Sequence, residues 1–185
     1  IWDKGLSLWG ALLAGFLSFY FICKRSDQNF WKWLEILIPS VMVGLTIGHI
    51  GTFFDGINYG SETSLPWGVN FESPAIKYAV PIHPTQIYAF LYSSLIVTGL
   101  ILLNQLEKIR NMEPPGFLGL LGLTIYSFFR FLEEFVRGDD TIEILNIRIG
   151  FFISFIVFIT SLTFLLKRYH KKNLEFSFKR KTYHS

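Results

Sequence analysis

The chain has 185 residues, of which 51% are hydrophobic and 17% are charged, and its formal net charge is +3. Soluble domains usually carry about 25% charged residues, whereas here apolar stretches of about 20 residues, long enough to cross a bilayer, recur along the chain. The pattern excludes a water-soluble globular domain and predicts an all-α integral membrane protein. Lysines and arginines cluster in short segments between the apolar stretches, so nucleic acid is not an expected partner.

Five membrane spans are predicted in chain order, at about residues 6–23, 31–54, 84–103, 116–137 and 145–166. Together they would form a polytopic membrane domain over residues 1–166, followed by a basic tail over residues 167–185. The connection from Asp55 to His83 is long for a loop without a function. Because the chain begins at Ile1 rather than at a methionine, we expect it to be an N-terminally truncated part of a longer protein.

Basic residues between the spans predict how the chain is oriented in the membrane. Five crossings place three basic groups on one side, which the positive-inside rule identifies as the cytoplasm. We therefore expect an external N-terminus, a cytoplasmic C-terminal tail, and a long loop on the outer face. The basic groups are Lys24, Arg25 and Lys32, then Lys108 and Arg110, then the tail.

Ionisable residues inside the predicted spans are functional candidates, because a charge within a bilayer is costly. In the fourth span, four polar residues are spaced i, i+4, i+8 and i+11, which places them on one face of a helix. Glu133 lies beside that face. The alternative is a purely structural Arg130–Glu134 pair, with Arg137 reaching to the interface. The four residues are Tyr126, Arg130, Glu134 and Arg137.

Two other segments bring polar side chains to the same predicted depth. His49 lies near the outer end of the second span, and His83 lies at the start of the third span, followed by Gln86 and Tyr88. Arginine is suited to anions because its planar fork bonds phosphate oxygens in pairs. The convergence of three segments favours a cationic pocket that binds an anionic phosphate head group.

The sequence predicts neither a metal site nor a cofactor. Its four histidines lack the spacing of a ligand set, and no CxxC or HExxH motif occurs. Cys23 is the single cysteine and lies on the predicted cytoplasmic side, so it is not a candidate nucleophile at the outer face. The chain lacks repeated halves, which makes a small transporter a weaker interpretation.

Four sequence blocks, in order, resemble the prolipoprotein diacylglyceryl transferase family. The first is GLSLWGA at 5–11, similar to that family's glycine-rich GGLSxxG. The second is GHIGTFFDG at 48–56 with YG at 59–60 and LPWGV at 65–69, similar to GRIGNFxNG…YG…LPWGV. The third is HPTQIY at 83–88, and the fourth is RFLEEFVR at 130–137, similar to RFxxEFxR.

The resemblance implies a bacterial plasma (inner) membrane enzyme with seven spans, of which this chain would hold the last five. The implied reaction transfers a diacylglyceryl group from phosphatidylglycerol to the lipobox cysteine of a prolipoprotein, forming a thioether and releasing glycerol phosphate. The implied partners are phosphatidylglycerol, prolipoprotein signal peptides and membrane lipids, with the active face towards the periplasm or exterior.

The resemblance also suggests roles for individual residues. Arg137 and Arg130 would stabilise the phosphate and leaving group, and His83 is the leading candidate for the general base, with a structural hydrogen-bonding role as the alternative. Glu134 would hold an arginine rather than take part in chemistry. The remaining predicted substrate-side residues are His49, Gly51, Thr52, Asp55, Gly60, Gln86, Tyr88 and Tyr126.

The chain departs from the family pattern at four positions. The signature arginine is His49, the two signature asparagines are Thr52 and Asp55, and the acidic residue after HPxQxY is Ala89. These departures leave a second interpretation open, in which the protein is a catalytically impaired family member that binds lipid or assists assembly.

Overall fold

The computed structural model describes residues 8–70, 80–106, 114–141, 143–145 and 147–182. Several predicted features lie outside this described part, among them the start of the first sequence block, the centre of the long loop, the basic pair Lys108 and Arg110, and the last three residues of the tail. The structure is mostly helical. Its elements are α1 (Leu8–Arg25), α2 (Phe30–Asp55), α3 (Thr85–Gln105), α4 (Phe117–Glu133), β1 (Glu143–Ile144), β2 (Ile147–Arg148) and α5 (Ile149–Thr182).

The ends of α2 follow from local sequence. The side chain of Asn29 accepts hydrogen bonds from the backbone N–H groups of Trp31 at 3.0 Å and Lys32 at 3.3 Å, which caps the helix start. Gly56 adopts φ 67°, the left-handed conformation that ends a helix most cheaply at a glycine. Pro39 lies inside the helix, as the sequence predicts.

Helices α2, α3 and α4 share an apolar core that α5 flanks through α4. The core is centred on Met42, Ala89, Tyr92, Ile96, Leu100 and Leu118. Many large apolar side chains nevertheless point outward, such as Leu95, which is 73% exposed. Among the described residues, three helical segments are long and apolar enough to cross a membrane: Phe30–Asp55, Thr85–Gln105 and Ile149–Lys172. The outward apolar surface agrees with a protein surrounded by lipid.

Two predicted spans have different bounds in the structure. The fourth was predicted over 116–137, but α4 ends at Glu133 because the residues that follow pair with the long loop instead of continuing the helix. The fifth was predicted from residue 145, but a short antiparallel hairpin, β1–β2, comes first and α5 begins at Ile149. Helix α5 also extends through Thr182, so it includes most of the predicted tail.

The described part of the long loop ties the start of α3 to the end of α4. The Gly60 N–H donates to the His83 carbonyl at 2.9 Å, and the Ser61 N–H donates to the Val136 carbonyl at 2.8 Å. The Gly138 N–H donates to the Tyr59 carbonyl at 3.0 Å. A side chain at Gly138 would lie 2.6 Å from the Gly60 carbonyl oxygen, so the close approach of the two backbones depends on glycine.

Candidate active site

A cavity of about 320 Å³ lies where α2, α3, the end of α4 and the β1–β2 hairpin meet. The structure brings six of the predicted site residues to its wall: His49, Gln86, Tyr126, Arg130, Glu134 and Arg137. Residues from three separate segments of the sequence therefore converge on one cavity.

Arg130 is held by two carboxylates at the C-terminal end of its own helix, from its last residue, Glu133, and from the C-cap, Glu134. Its Nη1 donates to Glu133 Oε1 at 2.6 Å, and its Nη2 lies 2.7 Å from Glu134 Oε1. The second oxygen of Glu133 accepts a hydrogen bond from the Tyr92 hydroxyl at 2.8 Å, which ties this pair to α3. The predicted i,i+4 pair of Arg130 with Glu134 is present. Glu133, which the sequence placed beside the predicted face, binds Arg130 at a similar distance.

Arg137 does not lie on the α4 helix, contrary to the predicted i, i+4, i+8, i+11 face. It pairs with Gly60 in a single antiparallel bridge beyond the helix end. Its Nε and Nη2 donate to the two carboxylate oxygens of Asp139 at 2.8 and 2.6 Å, and Nη2 also donates to Asn58 Oδ1 at 2.8 Å. Loop pairing, rather than helical periodicity, therefore aims this guanidinium at the cavity.

Arg148 is a cavity residue that the sequence analysis did not single out. Its Nε donates to Glu134 Oε2 at 2.8 Å, and its Nη2 and Nη1 donate to the carboxylate and the backbone carbonyl of Asp139, each at 2.8 Å. The signal was available, because Arg148 fell inside the predicted fifth span, where an ionisable residue calls for a partner. Asn58 and Asp139 were also missed, since both lie in loops without periodicity.

The cavity is therefore less cationic than the sequence predicts. Each of its arginines is paired with buried or half-buried carboxylates, which come from Glu133, Glu134 and Asp139. Burial acts to raise the pKa of Asp139, but hydrogen bonds and charge from Arg137 and Arg148 outweigh it and hold that pKa below its usual range. The arrangement is a network of ion pairs rather than a patch of free positive charge.

Two buried polar atoms on the cavity wall lack a hydrogen-bond partner among the described residues. They are Nε2 of His49 and Oε1 of Gln86. The other end of the Gln86 amide is fixed, because its Nε2 donates to the Ile57 carbonyl at 2.7 Å. Buried polar atoms are nearly always satisfied in folded proteins, so these two atoms are suited to meet the polar groups of a ligand.

The other predicted site residues do not form part of this cavity wall. Nδ1 of His83 lies 3.2 Å from the Tyr88 hydroxyl, which accepts a hydrogen bond from Trp67 Nε1 at 2.8 Å. The backbone of Gly60 bonds to His83 on one side and pairs with Arg137 on the other. One backbone segment therefore separates His83 from that arginine. The rest are at the exposed end of α2: Gly51, Thr52 and Asp55.

Comparison with known proteins connects this geometry to a family. A family model described as prolipoprotein diacylglyceryl transferase matches residues 1–167. Three similar proteins, all named phosphatidylglycerol–prolipoprotein diacylglyceryl transferase, come from Prochlorococcus marinus strain MIT 9215 (34% identity), P. marinus subsp. pastoris (37%) and Clostridium tetani (33%).

These matches cover 75%, 75% and 91% of this chain, respectively. They cover 48% of each Prochlorococcus protein and 67% of the Clostridium protein, so the chain spans about half the length of the former relatives. The family model covers most of the chain, and three of the four blocks that resemble the family contribute residues to the cavity wall. The chain belongs to the prolipoprotein diacylglyceryl transferase family.

Proposed function

We propose that the protein transfers the diacylglyceryl group of phosphatidylglycerol to the cysteine thiol of a prolipoprotein. In this reaction the sulfur forms a bond to the glyceryl carbon, the bond from that carbon to the phosphate oxygen breaks, and glycerol phosphate leaves. The thiol proton passes to a base. The observation that carries the proposal is the convergence of Arg130, Arg137 and Nε2 of His49, which lacks a partner among the described residues, on one cavity.

Arg137 is the better placed of the two arginines to receive the phosphate. Its Nε and Nη2 are occupied by Asp139 and Asn58. Within the described part of the chain, its Nη1 has only carboxylate oxygens of Glu133 and Glu134 at 3.9 Å, too far for hydrogen bonds. Nη1 can therefore donate to a phosphate oxygen while the rest of the guanidinium stays fixed, which is the preorganisation that stabilises a leaving group.

His83 remains our candidate for the base. A cysteine thiol has an ordinary pKa of about 8.5, so it needs help to form the reactive thiolate. The Tyr88 hydroxyl contacts Nδ1 of His83 and would orient the ring. Because His83 lies outside the cavity wall, the prolipoprotein cysteine would have to approach from the loop side, next to Gly60.

We also propose five membrane spans, with α1 and α4 crossing alongside the three long apolar helices. The cavity would face the periplasm or exterior, and the basic end of α5 would face the cytoplasm of a bacterial plasma membrane. The distribution of basic residues supports this orientation. In this arrangement, phosphatidylglycerol enters from the surrounding lipid and the signal peptide approaches along the outer loop.

The proposal is tested with the purified protein in phosphatidylglycerol vesicles and a lipobox peptide. A peptide that gains a diacylglyceryl group in thioether linkage, detected by mass spectrometry, supports the transferase function. A peptide in which serine replaces the lipobox cysteine is the matched control and should gain no mass. Absence of product with the cysteine peptide, under conditions where the protein still binds phosphatidylglycerol, would contradict it.

A lipid-binding protein without catalysis is the second candidate, and the substitutions at His49 and Ala89 favour it. Ala89 is buried in the apolar core, where the family pattern has an acidic residue. A His49→Arg variant separates the two functions, because it restores the family's arginine at the cavity wall. Product from this variant, with none from the unmodified protein, would favour the lipid-binding interpretation of the natural chain.

A further inference from the structure

We infer that Arg148 is a positioning residue. Its guanidinium holds the carboxylates of Glu134 and Asp139, and these carboxylates bond to the two candidate phosphate-binding arginines, Arg130 and Arg137. This inference rests on the proposed function and extends it to a residue of the β1–β2 hairpin. Arg148 would not touch the substrate; it would act through Glu134 on Arg130 and through Asp139 on Arg137.

The first connection runs through Glu134. Arg148 Nε donates to Glu134 Oε2 at 2.8 Å, while the other oxygen of the same carboxylate lies 2.7 Å from Arg130 Nη2. The Glu134 side chain is only 2% exposed, so its orientation is set by these two guanidiniums rather than by water. Moving Arg148 would therefore release Arg130 on one side.

The second connection runs through Asp139. Arg148 Nη2 donates to Asp139 Oδ1 at 2.8 Å, and Asp139 Oδ2 lies 2.6 Å from Arg137 Nη2. Arg148 Nη1 donates to the backbone carbonyl of Asp139 at 2.8 Å, which fixes the main chain as well as the carboxylate. Only a planar, multidentate cation satisfies this geometry together with the bond to Glu134.

The surrounding backbone keeps Arg148 at this junction. Arg148 pairs with Glu143 across the hairpin and directly precedes α5. Two residues later, a side chain at Gly150 would collide with the Glu134 carboxylate, so the start of α5 packs tightly on that group. The hairpin therefore places the Arg148 guanidinium against the carboxylates of Glu134 and Asp139.

Arg148 also sets the charge that an anionic substrate meets. Without it, Arg130 and Arg137 would face the carboxylates of Glu133, Glu134 and Asp139 with one positive charge fewer in a low-dielectric site. The lost positive charge would weaken the binding of phosphate, and the lost hydrogen bonds would let both arginines shift. These are separable effects, because charge acts on binding whereas misplacement acts on the chemical step.

Two variants separate position from charge in steady-state kinetics with the lipobox peptide and varied phosphatidylglycerol. Arg148→Lys keeps the charge but cannot bond both carboxylates, so we expect kcat to fall about tenfold with KM for the lipid nearly unchanged. Arg148→Gln loses both the positive charge and the paired bonds to the carboxylates, so we expect kcat to fall and KM to rise about tenfold. Adding Asp139→Asn to Arg148→Gln should lower KM again, because it removes one carboxylate charge.

The matched controls are Arg25→Lys and Arg25→Gln, which change an exposed arginine at the end of α1 and should leave both constants unchanged. Rates are expressed per folded protein, measured by thermal melting in detergent. Two results would overturn the inference: Arg148 variants with unchanged kinetics, or a loss of activity that only follows the folded fraction.

If the unmodified protein makes no thioether product, the proposed transferase function fails, and the role of Arg148 is then read from binding alone. Phosphatidylglycerol binding, measured by native mass spectrometry, should be weakened about tenfold by Arg148→Gln and not by Arg25→Gln. Equal binding by the unmodified protein and the Arg148→Gln variant would overturn the inference about Arg148.

Discussion

The two ends of the helical bundle both hold charged residues next to apolar helices, but they use them differently. At the end that carries the start of α4, Glu35 accepts hydrogen bonds from the backbone N–H groups of Gly116 at 3.1 Å and Leu118 at 3.2 Å. Arg168 lies 4.1 Å from the centre of the Trp31 ring and donates to the Pro115 carbonyl. These charges bond to backbone groups and a ring and so connect helix ends, although Nε of Arg168 is buried without a hydrogen-bond partner among the described residues.

At the cavity end, the charged groups bond mainly to one another and leave donors directed at an open space. Arg130, Arg137 and Arg148 share carboxylates, and Nε2 of His49 lacks a partner among the described residues. A charge within a span is therefore a weak sign of function by itself. Several segments that converge on one cavity and share ion pairs across its wall are a much stronger sign.

The largest expected effect comes from Arg137, whose loss would most directly test the function of the cavity end. Arg137→Gln should lower turnover at least about 100-fold, because removing a preorganised donor to developing negative charge has that order of effect. Arg137→Lys, which keeps the charge and is less disruptive to Asp139, should lower it about tenfold or more. Turnover is measured per folded protein in the lipobox assay.

Arg25→Gln is the control for Arg137, as an exposed arginine remote from the cavity. Turnover by Arg137→Gln close to that of the unmodified protein would refute the assignment of Arg137 to the phosphate.

The second effect concerns how the cavity end is assembled. Gly138→Ala should destabilise the protein by about 2 kcal/mol, within the usual range for overpacking, because the new methyl group would lie 2.6 Å from the Gly60 carbonyl oxygen. Gly15→Ala is the matched control and should not lower the melting temperature, since among the described residues nothing beyond the adjacent chain and its own helix backbone lies within 4 Å of the added methyl group. Thermal melting in detergent measures both, and equal melting temperatures would show that the loop is not held as the structure places it.

Glu35 tests the structural end of the bundle. Glu35→Ala removes the acceptor for two N–H groups at the start of α4, and leaving such donors unsatisfied costs about 1–2 kcal/mol. We expect a lower melting temperature with turnover per folded molecule unchanged. A large loss of turnover at unchanged stability would break the distinction between the two ends.

The sequence predicted the helices well and the site only in part, and the differences have physical causes. Apolar length located the five helices of the described residues, three of which are long and apolar enough to cross a membrane. Periodicity placed Tyr126 and Arg130 on α4 and Glu134 at its C-cap, as the structure has them. It failed for Arg137, because hydrogen bonds between the loop and the residues after Glu133 end the helix there.

The missed residues have other causes. Asn58 and Asp139 lie next to a long-range backbone pairing, the bridge between Gly60 and Arg137, which no local pattern encodes. Arg148 lies in a short local hairpin whose two-residue strands, Glu143–Ile144 and Ile147–Arg148, are too short to show a periodicity. Three of the four family blocks located segments around the cavity, but only the folded chain shows that a hairpin outside those blocks supplies the third arginine.

The smallest expected effect is a pH dependence that belongs to the cavity end alone. Arg137 and Arg148 hold the pKa of Asp139 below its ordinary value of 3.8 in the folded protein, despite the opposing effect of burial. The unfolded chain therefore takes up a proton at a higher pH than the folded protein does. The stabilisation is fully present above the ordinary pKa of the unfolded chain, and it is lost as the pH falls from that pKa towards the lower pKa of the folded protein.

Melting temperatures between pH 7 and pH 3 should therefore fall at the acid end for the unmodified protein. Asp139→Asn should melt lower at pH 7 and show a smaller fall, because it has no proton to gain. Asp27→Asn, at an exposed turn after α1, is the control and should retain the full acid dependence. If Asp139→Asn kept the same acid dependence as the unmodified protein, the link between the two arginines and Asp139 would not contribute to stability, and the cavity end would owe its order to backbone pairing alone.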